Sequence, residues 1–416
     1  MKCNLLAILG LAATIVVGCT NQNNNKILIP VCKDGKWGYV DQTGSLVVKP
    51  QFDYAYGFVK NGLASVKLNG KWGYIDKTGN LVINPHFDLA KDFDKNGLAC
   101  VRLKDKYGYI DTIGNFVIEP QFDFVRVPFS ESGLAVVETN DKYGYVDQAG
   151  NMVIKLQFEE AHEFADNGLA LVKLNDKYGY IDKTGNLVIK LQFEDACGFA
   201  DNDLALVKLN DKYGYIDKTG EFVIKPQFLD ADGFCKNGLA CVYVDDSMKH
   251  KWGYINKKGE FVISPQEFYP RDDFNEFGFA RVMYKNHKYG YIDTIGKWVI
   301  KPQFDGVYLT DFGFAVAEIN GKYGIIDTTG NWIVKPQFDK AHGLTKNGLV
   351  TVKINGCWGL FDINGHFVIK PQFEEMKELK NGLLAVKKDG KWGLINSKGK
   401  IVAKPQFDEI GKFEFF

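Results

Sequence analysis

The sequence has no excess of either charge: lysine plus arginine and aspartate plus glutamate number 51 each in 416 residues. The signs are interspersed, so no strong one-sign field is available for nucleic acid or for an anionic membrane surface. There is no Cys-x-x-Cys pair among the eight cysteines, which argues against zinc and against a redox dithiol. The apolar run at residues 5–17 is too short to cross a bilayer comfortably as a helix. The six histidines are scattered, and no Ser/His/Asp or Cys/His arrangement assembles from them. Nothing in the chain argues for catalysis, and no cofactor is implied.

What is present is repetition. An aromatic residue followed by glycine recurs at Trp37, Trp72, Tyr107, Tyr143, Tyr178, Tyr213, Trp252, Tyr289, Tyr323, Trp358 and Trp392, at steps of 34 to 39 residues. A near-fixed period of this length marks a repeat architecture. Aromatic content is 14%, and most of those rings fall in the repeat register, as core filling does.

One unit shows how the pattern works. Trp72-Gly73-Tyr74-Ile75 is aromatic and β-branched, which suits a strand. Asp76-Lys77-Thr78-Gly79 is turn chemistry: Asp accepts backbone N–H bonds, and Gly takes positive φ. Leu81-Val82-Ile83 is the return strand, and Pro85 interrupts its ladder. Phe87, Ala90 and Phe93 are expected to plug the gap to the next unit. After Asn96-Gly97 comes a third strand, with Ala99, Val101 and Leu103 on a buried face. The glycine after each aromatic is present in all eleven units, which points to close backbone approach. Asp at the turn is replaced by Asn256 and Asn396 in two units, which fits turn capping better than calcium binding.

These residues carry a resemblance. Lys71-Trp-Gly-Tyr-Ile-Asp-Lys-Thr-Gly-Asn-Leu-Val-Ile83, then Pro-x-Phe, then Asn-Gly-Leu-Ala-x-Val, is similar to the WG (KWG) β-repeat family of bacteria over residues 32–416. The resemblance implies an all-β repeat domain, often secreted or lipid-anchored, generally with no assigned activity. The expected fold is about eleven β-meander units stacked as an open solenoid or superhelix. A β-propeller is the alternative, disfavoured because blades usually hold four strands in about 40–45 residues, and three are visible here.

At the N-terminus, Lys2, the apolar run and Val16-Val17-Gly18-Cys19 resemble a bacterial lipoprotein signal with its lipobox. The expected layout is a signal peptide at 1–18, a lipid anchor on Cys19 with a tether through residue 31, and the repeat domain at 32–416. The repeat domain is then periplasmic or extracellular, at the outer membrane if the cell has two membranes. The polar, Asn-rich residues 20–25 suit a tether.

The units depart most from one another at 241–290. Extra residues there lengthen two hairpins and one connection, and insertions in repeats map to loops. Asp245, Asp246, His250, Tyr269, Arg271 and His287 are therefore the candidate interaction surface. Cys197 and Cys235, in adjacent units, are the pair to test for a disulfide. The expected function is a non-catalytic, lipid-anchored envelope module that binds another protein. The alternative is glycan or peptidoglycan binding by aromatic rows in the Tyr39, Tyr74 and Tyr109 register, if those rings are exposed.

Overall fold

Turn chemistry sets the local structure as expected. The Asp76 carboxylate accepts the N–H groups of Thr78 (2.8 Å) and Asn80 (3.0 Å), and Gly79 follows at φ 91°. The same pattern holds at Asp41, Asp182, Asp217 and Asp327. Each such turn joins the aromatic-Gly strand to a seven-residue return strand.

The computed structural model describes residues 27–126, 129, 132–199, 203–246, 249–284, 286–309, 313–344, 348–379 and 382–411. The signal 1–18, the lipid-bearing Cys19 and the tether to residue 26 lie outside these residues. In chain order the first strands are β1 (Ile29–Lys33), β2 (Lys36–Val40), β3 (Leu46–Phe52), β4 (Tyr54–Ala55), β5 (Ala64–Leu68), β6 (Lys71–Ile75) and β7 (Leu81–Phe87). The fourth strand of each sheet is the one missing from the three-strand reading. It is the two-residue β4, whose Tyr54 and Ala55 pair with Lys67 and Val66 of β5. Two residues carry no period, so the element leaves no pattern in sequence. Among the described residues the strands form eleven four-stranded antiparallel sheets, ordered like β4-β5-β6-β7.

The invariant glycine has a steric cause. Trp37 faces Phe52 and Tyr39 faces Val48, so β3 bulges between them around Pro50. A proline there has no ladder hydrogen bond to lose. The bulge presses onto the glycine of the neighbouring strand. In the equivalent place, a Cβ on Gly214 would lie 2.6 Å from the Ile224 carbonyl oxygen and 2.7 Å from the Pro226 nitrogen.

The sheets pack face to face through shared filling. Tyr74, Ile83, Phe87, Ala90 and Phe93 pack with Ala99, Val101 and Ile110 of the next unit. A polar clamp that was not foreseen joins neighbours as well. Asp53 accepts from the Lys36 ammonium (2.7 Å) on one side and from the Gly70 N–H (3.0 Å) on the other. Asp88, Asp123, Asp305, Asp339 and Asp408 make the same double contact. Glu159, Glu194 and Glu374 take the backbone N–H contacts. Leu229 occupies this position in another unit, and in the remaining one Tyr269 pairs with Met283 as Tyr54 pairs with Lys67, which leaves Phe268 in the place of Asp53.

The array closes on itself. The strand Glu409–Ile410 pairs with β1, with Ile410 opposite Val31 and Glu409 opposite Cys32. Asp408 N–H donates to the Cys32 carbonyl (2.8 Å), and Gly411 N–H to that of Pro30 (2.9 Å). Ile29, Val31 and Val40 of the first sheet pack with Leu379, Leu394 and Phe407 of the last. The molecule is therefore an eleven-bladed β-propeller, the second of the two arrangements expected. The open solenoid gives way to it because the chain's end supplies the strand that the first sheet lacks. For the same reason Ile29, Pro30 and Val31 belong to the first blade rather than to the tether. Glu409–Ile410 is the closing strand.

Candidate functional site

The two aromatic rows have different fates. In the second row Tyr39, Tyr74, Tyr145, Tyr180 and Tyr215 are 0–1% exposed. The hydroxyl of each of these five donates to a backbone carbonyl at the start of the next blade: Tyr39 to Tyr56, Tyr74 to Lys91, Tyr145 to His162, Tyr180 to Cys197 and Tyr215 to Asp232, at 2.6–2.7 Å. The rings pack on the following phenylalanine, as Tyr74 does on Phe93 with centroids 4.7 Å apart. Burial pushes these phenols well above their ordinary titration range. The proposed glycan ladder in this register is thus corrected: the row is an inter-blade fastener, and no ring face in it is open to a sugar.

The first row, the aromatic of each aromatic-Gly pair, is largely half-buried. A cation often lies over it: Lys67 over Trp72, Arg102 over Tyr107, Lys173 over Tyr178 and Lys353 over Trp358, at 5.3–6.0 Å. Such contacts are worth about 0.5–1 kcal/mol at exposed sites. Neighbouring rings extend the row across blades, as in Trp37–Tyr54 (5.0 Å) and Tyr56–Trp72 (5.4 Å, stacked).

The row breaks open where the units depart. Glu267 is an extra residue, so the strand Phe261–Gln266 sets Gln266 opposite Trp252, where β3 sets Phe52 opposite Trp37. Phe268 buries itself one step later, and Pro270 enters the short strand Phe268–Pro270. Arg271 keeps the ladder bond of Asp232, its N–H donating to the Arg281 carbonyl (3.1 Å), but its carbonyl does not take the Tyr254 hydroxyl. Tyr254 is 2% exposed, and its hydroxyl has only the Cys241 thiol as a hydrogen-bonding neighbour. Tyr109 likewise lacks a backbone acceptor, and its neighbouring connection is in part outside the described residues.

A hollow of about 740 Å³ lies at this junction, lined by Asp232, Trp252, Tyr254, Tyr269, Arg271 and Asp273 among others. A second, of about 560 Å³, shares Trp252 and Tyr269 and adds Lys208, Tyr213, Asp230 and Tyr243. Tyr243 and Trp252 have centroids 5.0 Å apart. Burial, then the neighbouring Asp230 and Asp273 carboxylates, raises the Asp232 carboxyl above its ordinary range. Asp272 is held by Arg281, with Nε 2.7 Å from Oδ2. Burial, then a hydrogen bond with Asp273, pushes the Cys235 thiol up to about 12, so it is protonated at neutral pH.

Of the six residues expected to form a surface, Tyr269 and Arg271 line the hollow. Asp245 faces His250 and Asp246 faces Lys249 across the lengthened hairpin. His287 is exposed, at φ 60° in the turn before Lys288. Trp252 and Tyr254, nearer the base of that hairpin, do line the hollow. Cys197 and Cys235 are free thiols, so the disulfide to be tested is absent. The residues missed are Asp232, Trp252 and Tyr254, and the signal for them was Glu267, the extra residue opposite. Among the described residues no three of His, Cys, Asp and Glu come close enough to hold a metal ion.

The repeat boundaries agree with a known family. A family described as "WG containing repeat" matches eleven successive segments: 37–72, 72–107, 107–143, 143–178, 178–213, 213–246, 252–288, 289–323, 323–356, 358–392 and 392–414. No curated protein matches the chain. Among solved structures, a eukaryotic initiation factor is similar at 9% identity over 94% of this chain and 98% of that chain, with a TM-score of 0.45. BamB from Moraxella catarrhalis is similar at 11% identity over 73% and 88%, with a TM-score of 0.29.

Proposed function

The chain belongs to the WG-containing repeat family, and from that premise we propose that it is a non-catalytic binding module, held at the cell envelope by lipid on Cys19, that engages another protein. One observation carries the reading. Large apolar side chains stand exposed at or beside one repeat position, the short strand that opens a blade: Tyr54, Phe124, Leu229, Tyr269 and Tyr308 are 37–54% exposed. Tyrosine and phenylalanine on an otherwise charged rim are what protein interfaces favour. The polar groups that repeat, by contrast, are occupied in turns, inter-blade clamps and buried hydroxyl bonds, which leaves no acid, base or nucleophile set in register.

The test is an in-cell cross-link of tagged full-length protein, followed by identification of what co-purifies. A stoichiometric protein, lost in a Tyr54→Ala/Phe124→Ala/Tyr308→Ala variant that still folds, is the expected result. Recovery of no protein partner, with the cross-linker shown to react, would sink the reading. Mass spectrometry of membrane-extracted protein tests the anchor: Cys19 should be the first residue and carry acyl chains.

A further inference from the structure

We infer that the cleft between the blades 230–266 and 268–304 binds a neutral oligosaccharide, stacked on Trp252 and Tyr269. This is a role beyond the protein contact proposed above.

The shape comes first. The two hollows adjoin at Trp252 and Tyr269, which line both. Each lies within the usual range for ligand sites, about 300–1,000 Å³. Two adjoining hollows suit a chain of units better than one compact group.

The lining comes next. Tyr213, Tyr243, Trp252 and Tyr269 bring four aromatic side chains to it. Their flat apolar faces match the C–H face of a pyranose ring, and their polar tips remain able to hydrogen-bond. Around them the charges are of both signs. Lys208 and Asp230 flank one hollow; Arg271, Asp232 and Asp273 flank the other. Among the described residues neither Asp232 nor Asp273 forms an ion pair. A site with donors and acceptors side by side is complementary to hydroxyl groups, which both donate and accept. An ammonium ion only donates, and a carboxylate only accepts.

The floor adds an independent observation. The buried Tyr254 hydroxyl has no oxygen or nitrogen partner and only the Cys241 thiol beside it, a weak acceptor, whereas Tyr215, one blade earlier, donates to the Asp232 carbonyl at 2.7 Å. A buried polar group left unmade is costly, and a ligand hydroxyl at the cleft floor would satisfy it. The junction that opens the cleft is thus also the one at which a tyrosine of this row lacks the carbonyl its counterpart Tyr215 uses.

Saturation-transfer NMR on the folded full-length chain tests this, with cellotetraose, maltotetraose and chitotetraose as sugars and with choline and N-acetyl-lysine methyl ester as cations. At least one tetrasaccharide should receive transfer. Tyr269→Ala, a surface substitution, should weaken its binding about tenfold without changing the melting temperature. Trp252→Phe keeps a ring and the fold, and should weaken it less. Three results would overturn the inference: no transfer to any tetrasaccharide, transfer unchanged in both variants, or binding of the cations alone. A protein partner recovered by cross-linking alongside such a result would leave the scaffold reading intact and defeat this one.

Discussion

Ring closure makes a prediction that the open arrangement cannot share. Gly411 N–H bonds to the Pro30 carbonyl, so Pro30 and Gly411 are the hydrogen-bonded kind of antiparallel pair. The next pair, Val31 and Ile410, is then the closely spaced kind, with Cα atoms about 4.5 Å apart. That separation lies inside the range a disulfide spans, about 4.4–6.8 Å. A Val31→Cys/Ile410→Cys variant should therefore form an intramolecular bond on mild oxidation. The bond would close a loop of 410 − 31 = 379 residues. The chain-entropy relation gives about 6 kcal/mol for a loop of that size, as a ceiling. Val31 is fully buried and Ile410 half-buried, so the substitutions themselves lose about 1–2 kcal/mol of apolar burial. The oxidised variant should be more stable than its reduced form by several kcal/mol, read as the shift in urea midpoint between the two. A non-reducing gel and the mass of the linked peptide identify the bond and separate it from one to Cys32, whose side chain lies on the other strand face. A variant that folds normally by circular dichroism but yields only free thiols or intermolecular dimers would refute closure. The two ends would then lie at opposite ends of an open array.

Four further outcomes follow from the contacts within and between blades. Hydrogen bonds from Lys36 and the Gly70 N–H hold Asp53 below its ordinary range, and Asp88, Asp123, Asp305, Asp339 and Asp408 are lowered likewise. Their stabilisation is complete above the unfolded value of about 3.9 and is lost as pH falls through the lower folded values, so urea midpoints should drop together below about pH 4. The buried tyrosine row acts in the opposite sense, being stabilising below about pH 10 and lost as pH rises past it. Tyr180→Phe leaves the Cys197 carbonyl without its donor and should cost about 1–3 kcal/mol, whereas Tyr254→Phe removes a hydroxyl that holds no carbonyl and should not lower the denaturation midpoint. Gly214→Ala places a Cβ against the bulged strand and should cost at least about 2 kcal/mol by overpacking, visible as a lowered melting temperature; an unchanged one would refute the steric account of the aromatic-Gly pair.

Sequence made the units plain because their signals are local. Asp76, Thr78, Gly79 and Asn80 lie within one turn, and the apolar alternation of Ala99, Val101 and Leu103 lies within one strand. Exposure of the aromatic rows was harder. Trp72 and Tyr74 share a strand face, and only the distance to the next blade decides that Tyr74 is sealed while Trp72 is half open. The cleft was out of reach for a related reason. Glu267 is visible as an extra residue, but its effect falls on Tyr254 in the preceding strand and on Asp232 a blade edge away.

Closure was written in the chain in a form that local reading passes over. Residues Lys404-Pro405-Gln406-Phe407-Asp408-Glu409-Ile410 repeat Lys49-Pro50-Gln51-Phe52-Asp53-Tyr54-Ala55. In the earlier copy the last two residues open the next blade by pairing with β5. In the later copy the same two positions pair with β1 instead. The first sheet has the converse defect: its strands from β1 to β3 lack the short strand that other sheets acquire from the unit before. A unit cut at one end is completed by the remainder at the other, and Asp408 contacts both Lys391 and the Gly35 N–H as Asp53 contacts Lys36 and Gly70. The junction between the termini is thus built from the same contacts as an ordinary blade junction, which is why a repeat that reads as open-ended forms a ring.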